Sequence, residues 1–114
     1  MKNLIYICIF KNEDYIELLY LLLESIWVFG NLSDNTHILI YTSTEVSNKI
    51  KASIWFTFYT DSRLLFMIND TYNTIETACS SRLDLFNFPI TEKYNRILYL
   101  DTDILVKSDL NPIF

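Results

Sequence analysis

RILYLDTDILV, residues 96–106, is the stretch on which the fold turns. RILYLD reads as a strand, yet the apolar run carries Asp101 and Asp103 in its middle. Two carboxylates inside a core are costly unless something pairs with them. In a strand, positions i and i+2 share a face, so the reading puts Asp101 and Asp103 on one side and Thr102 on the other. They fall where the apolar run ends, the edge at which open α/β sheets bind ligands. Paired carboxylates repel unless a proton or a cation lies between them. Hard oxygen donors suit Mg²⁺, Mn²⁺ or Ca²⁺ and leave coordination positions that a diphosphate can fill. The other reading of Asp-Thr-Asp is a plain turn whose side chains bond backbone amides.

Working outward, LIYICIF (4–10) is a continuous apolar run and predicts a strand buried on both faces. KNED follows with helix-start chemistry. Residues 14–29 predict a helix with Glu17, Glu24 and Ser25 as its solvated edge, ended by Gly30. HILIYT (37–42) predicts a second strand, and Ser43 or Thr44 is placed to cap a short helix. ASIWFTFYT (52–60) fits a helix end or a strand. LLFMI (64–68) predicts a strand. TIETACSSRLDLF (74–86) predicts a helix with Ile75, Ala78, Cys79, Leu83 and Phe86 on one face, stopped by Pro89. Strand and helix alternate, so the expected fold is α/β, a mainly parallel sheet with flanking helices, in one domain over residues 1–114.

Composition narrows the function. A net charge of −5 without a Lys/Arg stripe argues against nucleic acid as a partner. The mean hydropathy of +0.19 is high for a small soluble domain, so part of the apolar surface is expected against more chain, a partner or a membrane. No transmembrane or signal segment is read: 15–29 is short and carries Glu17 and Glu24. Cys8 and Cys79 form no CxxC; a disulfide between them is one reading, and reduced thiols in a cytoplasmic or other intracellular setting are the expectation. His37 reads as a surface residue of a turn.

RILYLDTDILVKSDLNPIF resembles the DxD segment of family 8 glycosyltransferases, relatives of glycogenin and of bacterial lipopolysaccharide galactosyltransferases. SSRLDLFNFPITEKYNRILYLD is similar to the family's Arg-Leu helix leading into the DxD strand. LIYICIFKNEDY is similar to its first strand and Asn-x-x-Tyr nucleotide loop, and LLESI to the helix that follows. The resemblance implies a GT-A fold, Rossmann-like and truncated after the DxD strand. It implies a retaining transferase that binds a UDP-sugar through a divalent metal, usually Mn²⁺, with Mg²⁺ the alternative, and passes the sugar to an unknown acceptor. By position, Asp101 and Asp103 would bind the metal and Asp101 would lie near the ribose. Asn12 and Tyr15 would meet the base with help from backbone near Phe10, and Arg82 would reach the diphosphate or sugar. Guanidinium suits phosphate oxygens.

Plainer roles stand beside these. Tyr15 fits a core aromatic, Asn12 a loop or cap residue, and Arg82 a solvated residue paired with Asp84 or Glu76. Lys11 departs from the small or neutral residue the family has there. The family's downstream metal-binding histidine, acceptor elements and phosphate-contacting lysine have no counterpart in 114 residues. The chain is therefore expected to be the N-terminal, nucleotide-sugar-binding part of such an enzyme, to need a partner chain or self-association over an open sheet edge, or to be a non-catalytic remnant or nucleotide-binding module. Haloacid-dehalogenase-type phosphotransferases also place Asp-x-Asp after a strand. There the motif opens the domain, whereas here it falls near the end.

Overall fold

The computed structural model describes residues 2–10, 13–59, 63–72 and 81–114. Four strands, β1 (Asn3–Ile9), β2 (Thr36–Thr42), β3 (Leu64–Ile68) and β4 (Arg96–Tyr99), form one sheet in the order β3-β2-β1-β4. Every pairing is parallel: Ile7 lies opposite Ile40, Ile40 opposite Phe66, and Tyr6 opposite Tyr99. A parallel sheet is covered on both faces, which is why β1 and β2 are near-continuous apolar runs rather than alternating ones. The α/β class and the mainly parallel sheet expected from the sequence are present.

The two faces are chemically different. Ile5, Ile7, Ile9, Ile38 and Ile40 pack against an aliphatic layer that includes Leu19, Leu22 and Leu23 of helix α1 (Glu13–Ser25) and Val46 and Ile50 of helix α2 (Thr44–Lys51). The alternate positions Leu4, Tyr6, Leu39 and Tyr41 face a mostly aromatic layer with Tyr72, Leu85, Phe88, Ile90 and Tyr94. Most of this second layer comes from two 3₁₀ segments, Ser81–Asn87 and Pro89–Lys93, and the residues flanking the second, Phe88 and Tyr94. The crossovers through α1 and α2 lie on one face, and the described residues between β3 and β4 that pack on the sheet, Tyr72 and Leu85 to Tyr94, lie over the other. That change of side follows from right-handed crossovers once the chain reverses direction along the sheet.

Local chemistry explains the elements and corrects several expectations. Ser43 is the cap of α2, its Oγ accepting the Val46 N–H at 3.3 Å. The ambiguous stretch 52–60 contains a short helix, α3 (Ile54–Phe58). The helix expected over 14–29 is α-helical only to Ser25, and Ile26–Gly30 form a π-helical turn. Gly30 is not the left-handed cap: Asn31 takes that role, at φ 49° and ψ 48°. A Cβ at Gly30 would meet Ile26 Cγ2 and Leu110 Cδ1 at 3.4 Å, an ordinary van der Waals distance, so packing there does not demand glycine. Ser25 is no solvated edge. It is buried, and its Oγ donates to the Leu22 carbonyl at 2.8 Å and accepts the Val106 N–H at 2.9 Å.

Of the helix expected over 74–86, residues 74–80, with Ile75, Ala78 and Cys79 of its expected apolar face, lie outside the described residues, and Ser81–Asn87 is 3₁₀ rather than α. Pro89 forces Phe88 into extended geometry and cuts the element short. His37 is not in a turn. It is the second residue of β2, half-buried, with Nδ1 2.8 Å from the Tyr94 hydroxyl. No helix among the described residues is long and apolar enough to cross a membrane.

Candidate functional site

In this strand order the chain winds from β1 outward to β2 and β3, then returns to β4 on the other side of β1. The point of reversal lies between β1 and β4, and ligands of open α/β sheets bind at its carboxyl edge. Two chain segments reach that edge. One leaves β1 at Phe10 and enters α1; the other leaves β4 at Leu100, whose N–H still donates to the Tyr6 carbonyl at 3.0 Å, and runs into Asp101.

Strand geometry stops there. Thr102 and Asp103 form a turn, with the Ile104 N–H donating to the Asp101 carbonyl at 3.2 Å. The i, i+2 argument for a shared face therefore does not extend to Asp103. It does hold for Tyr99 and Asp101: the Tyr99 hydroxyl donates to Asp101 Oδ1 at 2.7 Å. Asp101 thus lies on the face of the sheet that the Ser81–Asn87 segment covers. Asp101 and Asp103 are both exposed. Past the turn the chain crosses to the helical face, where Val106 and Leu110 enter the aliphatic core. Asn31, Asp109 and Asn111 hold it there. Asn31 Nδ2 donates to Asp109 Oδ2 at 3.2 Å, and Asn111 Nδ2 donates to the Asn31 carbonyl at 2.7 Å.

The remaining predicted residues divide. Tyr15, in the first turns of α1 beyond the β1 edge, is exposed at 40% and is no core aromatic. Phe10 is buried, its ring edge-on to Tyr41 and Tyr72 at 5.0 Å each, so it leaves only backbone to the edge. Asn12 lies outside the described residues. Arg82 falls within the 3₁₀ segment Ser81–Asn87 on the aromatic face. Asp84, one of its two expected partners, takes part in a network: Tyr41 donates to Asp84 Oδ2 at 2.7 Å, Tyr72 donates to the same oxygen, and Asn69 Nδ2 donates to the Tyr41 hydroxyl at 2.7 Å. Burial, with Asp84 adding to it, pushes the Tyr41 phenol well above its ordinary range. The hydrogen bond to Asp84 pushes Tyr72 up as well. Both therefore stay protonated donors, and the network ties the second layer to the carboxyl end of β2. No sequence spacing signals it, because its members come from β2, the stretch after β3 and the 3₁₀ segment.

The donor set fits a hard divalent cation. Mg²⁺-type ions in nucleotide sites take one or two protein carboxylates, with phosphate oxygens and water completing the shell. Asp101 and Asp103, both exposed, are carboxylates of that donor type, and the turn between them does not put them on one strand face. Among the described residues no group of three or more His, Cys, Asp or Glu side chains is placed to hold a metal. No protein-family model, curated protein or solved structure matches this chain.

Proposed function

We propose that this chain is the nucleotide-sugar-binding part of a GT-A-type glycosyltransferase. In this reading it binds a UDP-sugar through Mn²⁺ or Mg²⁺ at Asp101 and Asp103, for transfer of the sugar to an acceptor. The observation that supports it most is the position of Asp101, directly past β4 and beside β1 at the reversal of the sheet. Tyr15 lies past the neighbouring β1 edge with an exposed ring able to stack on a base. Asp101 and Asp103 would hold the metal, and Tyr99 would orient Asp101 through its hydroxyl. When bound, the metal neutralises charge on the leaving diphosphate. Acceptor-binding groups would come from further chain or a partner.

The second reading is nucleotide binding without transfer. It draws on the two-carboxylate donor set, which leaves the cation held chiefly by the nucleotide itself.

Calorimetric titration of UDP with Mn²⁺ and with EDTA tests the shared premise. The expected result is binding that EDTA abolishes and that Asp103→Asn weakens by about tenfold or more, about 1.4 kcal/mol. Absence of UDP binding by a folded chain, or binding indifferent to EDTA, would remove both readings. Hydrolysis or transfer of a UDP-sugar by the chain would then separate the first reading from the second.

A further inference from the structure

The end of α1 and the short helix α3 meet on the helical face of the sheet, near its amino edge, and leave an apolar surface open. Trp27, Val28 and Phe29 are three consecutive exposed residues of the π-helical turn. Ile54 and Phe58, four positions apart on α3, are exposed beside them. Ring contacts make the surface continuous. Trp27 lies 5.5 Å from Phe58, and Phe58 lies 5.4 Å from the half-buried Trp55. Each of the five exposed residues shows between 42% and 62% of its area.

Such a run is a liability in water unless something covers it. The two segments that build it, residues 25–33 and 52–60, hold no charged residue at all, in a chain with 9 basic and 14 acidic ones. At about 200 Å² for a whole aromatic side chain, and less for Val or Ile, the patch offers on the order of 500 Å². Two such patches face to face come to about 1,000 Å², the size at which specific interfaces begin.

We propose that a second copy of this chain covers the patch, in a twofold dimer. Twofold pairing needs a surface complementary to itself. Val28 and Phe29 stand out from this one, and beside Trp27 it carries a hollow of about 180 Å³ that Trp27, Leu32 and Tyr59 help to line. The charges around it also match. Glu24 lies four residues before Val28, and Lys51 lies three before Ile54; both are exposed. Lys51 Nζ is 5.1 Å from the Phe66 ring, which puts it on the side of α3 away from Trp27. A twofold axis through the Trp27–Phe58 contact carries the α1 side of one protomer onto the α3 side of its partner, so that Glu24 of one meets Lys51 of the other. A lipid surface would call for a rim of cations, which the exposed Glu24 and Asp34 do not make. The patch lies across the sheet from Asp101, so the dimer depends on neither nucleotide nor metal.

Sedimentation of the chain over a concentration series, in EDTA and without nucleotide, tests this. The expected result is a monomer–dimer equilibrium. Val28→Glu and Ile54→Glu, both at exposed positions, should each weaken it by at least about tenfold. Lys51→Glu should weaken it too, and adding Glu24→Lys to Lys51→Glu should restore it. Phe86→Ser, at an exposed residue of the other face, should leave it unchanged. Trp27 and Trp55 are the two tryptophans of the chain, so its emission should shift to the red as the protein is diluted. A chain that stays monomeric at every concentration, a dimer indifferent to both single glutamate variants of the patch, or a monomer that binds phosphatidylcholine vesicles would each overturn the proposal. The mass and emission of the unmodified chain decide it even where a variant fails to fold.

Discussion

Asp101 shares its local chemistry with a phenol. The Tyr99 ring packs at 5.9 Å from Tyr6, while its hydroxyl reaches Asp101 Oδ1. Tyr99→Phe keeps the ring and removes the donor. If Asp101 binds a metal, the substitution should lower Mn²⁺-dependent UDP affinity by about tenfold, the usual effect of losing a group that orients a ligand. The urea midpoint should move little, which calorimetry and denaturation on the same protein would check. The two aspartates were legible as a site because carboxylates ending an apolar run demand an explanation. Their turn geometry was not, since Asp-Thr-Asp is compatible with strand or turn and only the Ile104-to-Asp101 bond decides. Tyr41, Tyr72 and Asp84 were not legible at all. Tyr41 reads from sequence as one more apolar strand residue, and its partners are set by tertiary packing.

At the scale of elements, the strands were plain because runs such as LIYICIF and HILIYT are too apolar for anything but a two-sided sheet. Helix ends were less so. A pattern can show that 14–29 is helical, but not the switch to a π-helical turn at Ile26, whose last residue accepts the Leu110 N–H of the segment after β4. Hydrogen bonds at Ser25, Gly30 and Asn31 fasten that segment. Ser25→Ala would leave the buried Val106 N–H unpaired, an expected loss of about 1–3 kcal/mol in urea unfolding. Asn31 has two jobs, a left-handed backbone and a bond to Asp109. Asn31→Gly should cost only the bond. Asn31→Ala should cost about 1–2 kcal/mol beyond the glycine variant, the penalty of a Cβ in that conformation. Equal midpoints for the two variants would refute the backbone argument. The 3₁₀ form of Ser81–Asn87 was hidden because its apolar spacing is shared with an α-helix.

For the whole molecule, periodicity indicated a parallel α/β sheet but could not order it. The order β3-β2-β1-β4 comes from which crossover lies on which face. The high hydropathy has a visible counterpart in Trp27, Val28, Phe29, Ile54 and Phe58, which remain exposed around α3 and the end of α1. Global stability should carry a histidine signature. His37 is held below its usual value, chiefly by burial and then by Lys2 and Arg63, so the folded state favours the neutral ring. Its stabilising share is present above about pH 6.5 and is lost as pH falls through that value and then through the lower folded one. Asp70, held low by the Thr44 N–H, and Asp109, held low by the Asn111 N–H, lose theirs only below about pH 4. Thermal midpoints should thus begin to drop below about pH 6.5, and His37→Gln should remove that first decline while leaving the acid one.

The central place of β1 also governs how the chain can be made. Its neighbours on the two sides are far apart in sequence, with Asn95 N–H donating to the Lys2 carbonyl at 2.7 Å across nearly the whole chain. Among the described residues no hairpin closes two adjacent strands locally. At about 5–20 residues per second of synthesis, one flank of β1 waits several seconds for β4 to emerge. During that interval a bare row of amides and carbonyls lies beside an apolar strand, open to a neighbouring nascent chain. Long-range parallel pairing is slow to form even afterwards. The yield of folded protein should therefore depend on the pace of translation and on chaperones that shield β1 until Arg96–Tyr99 arrives.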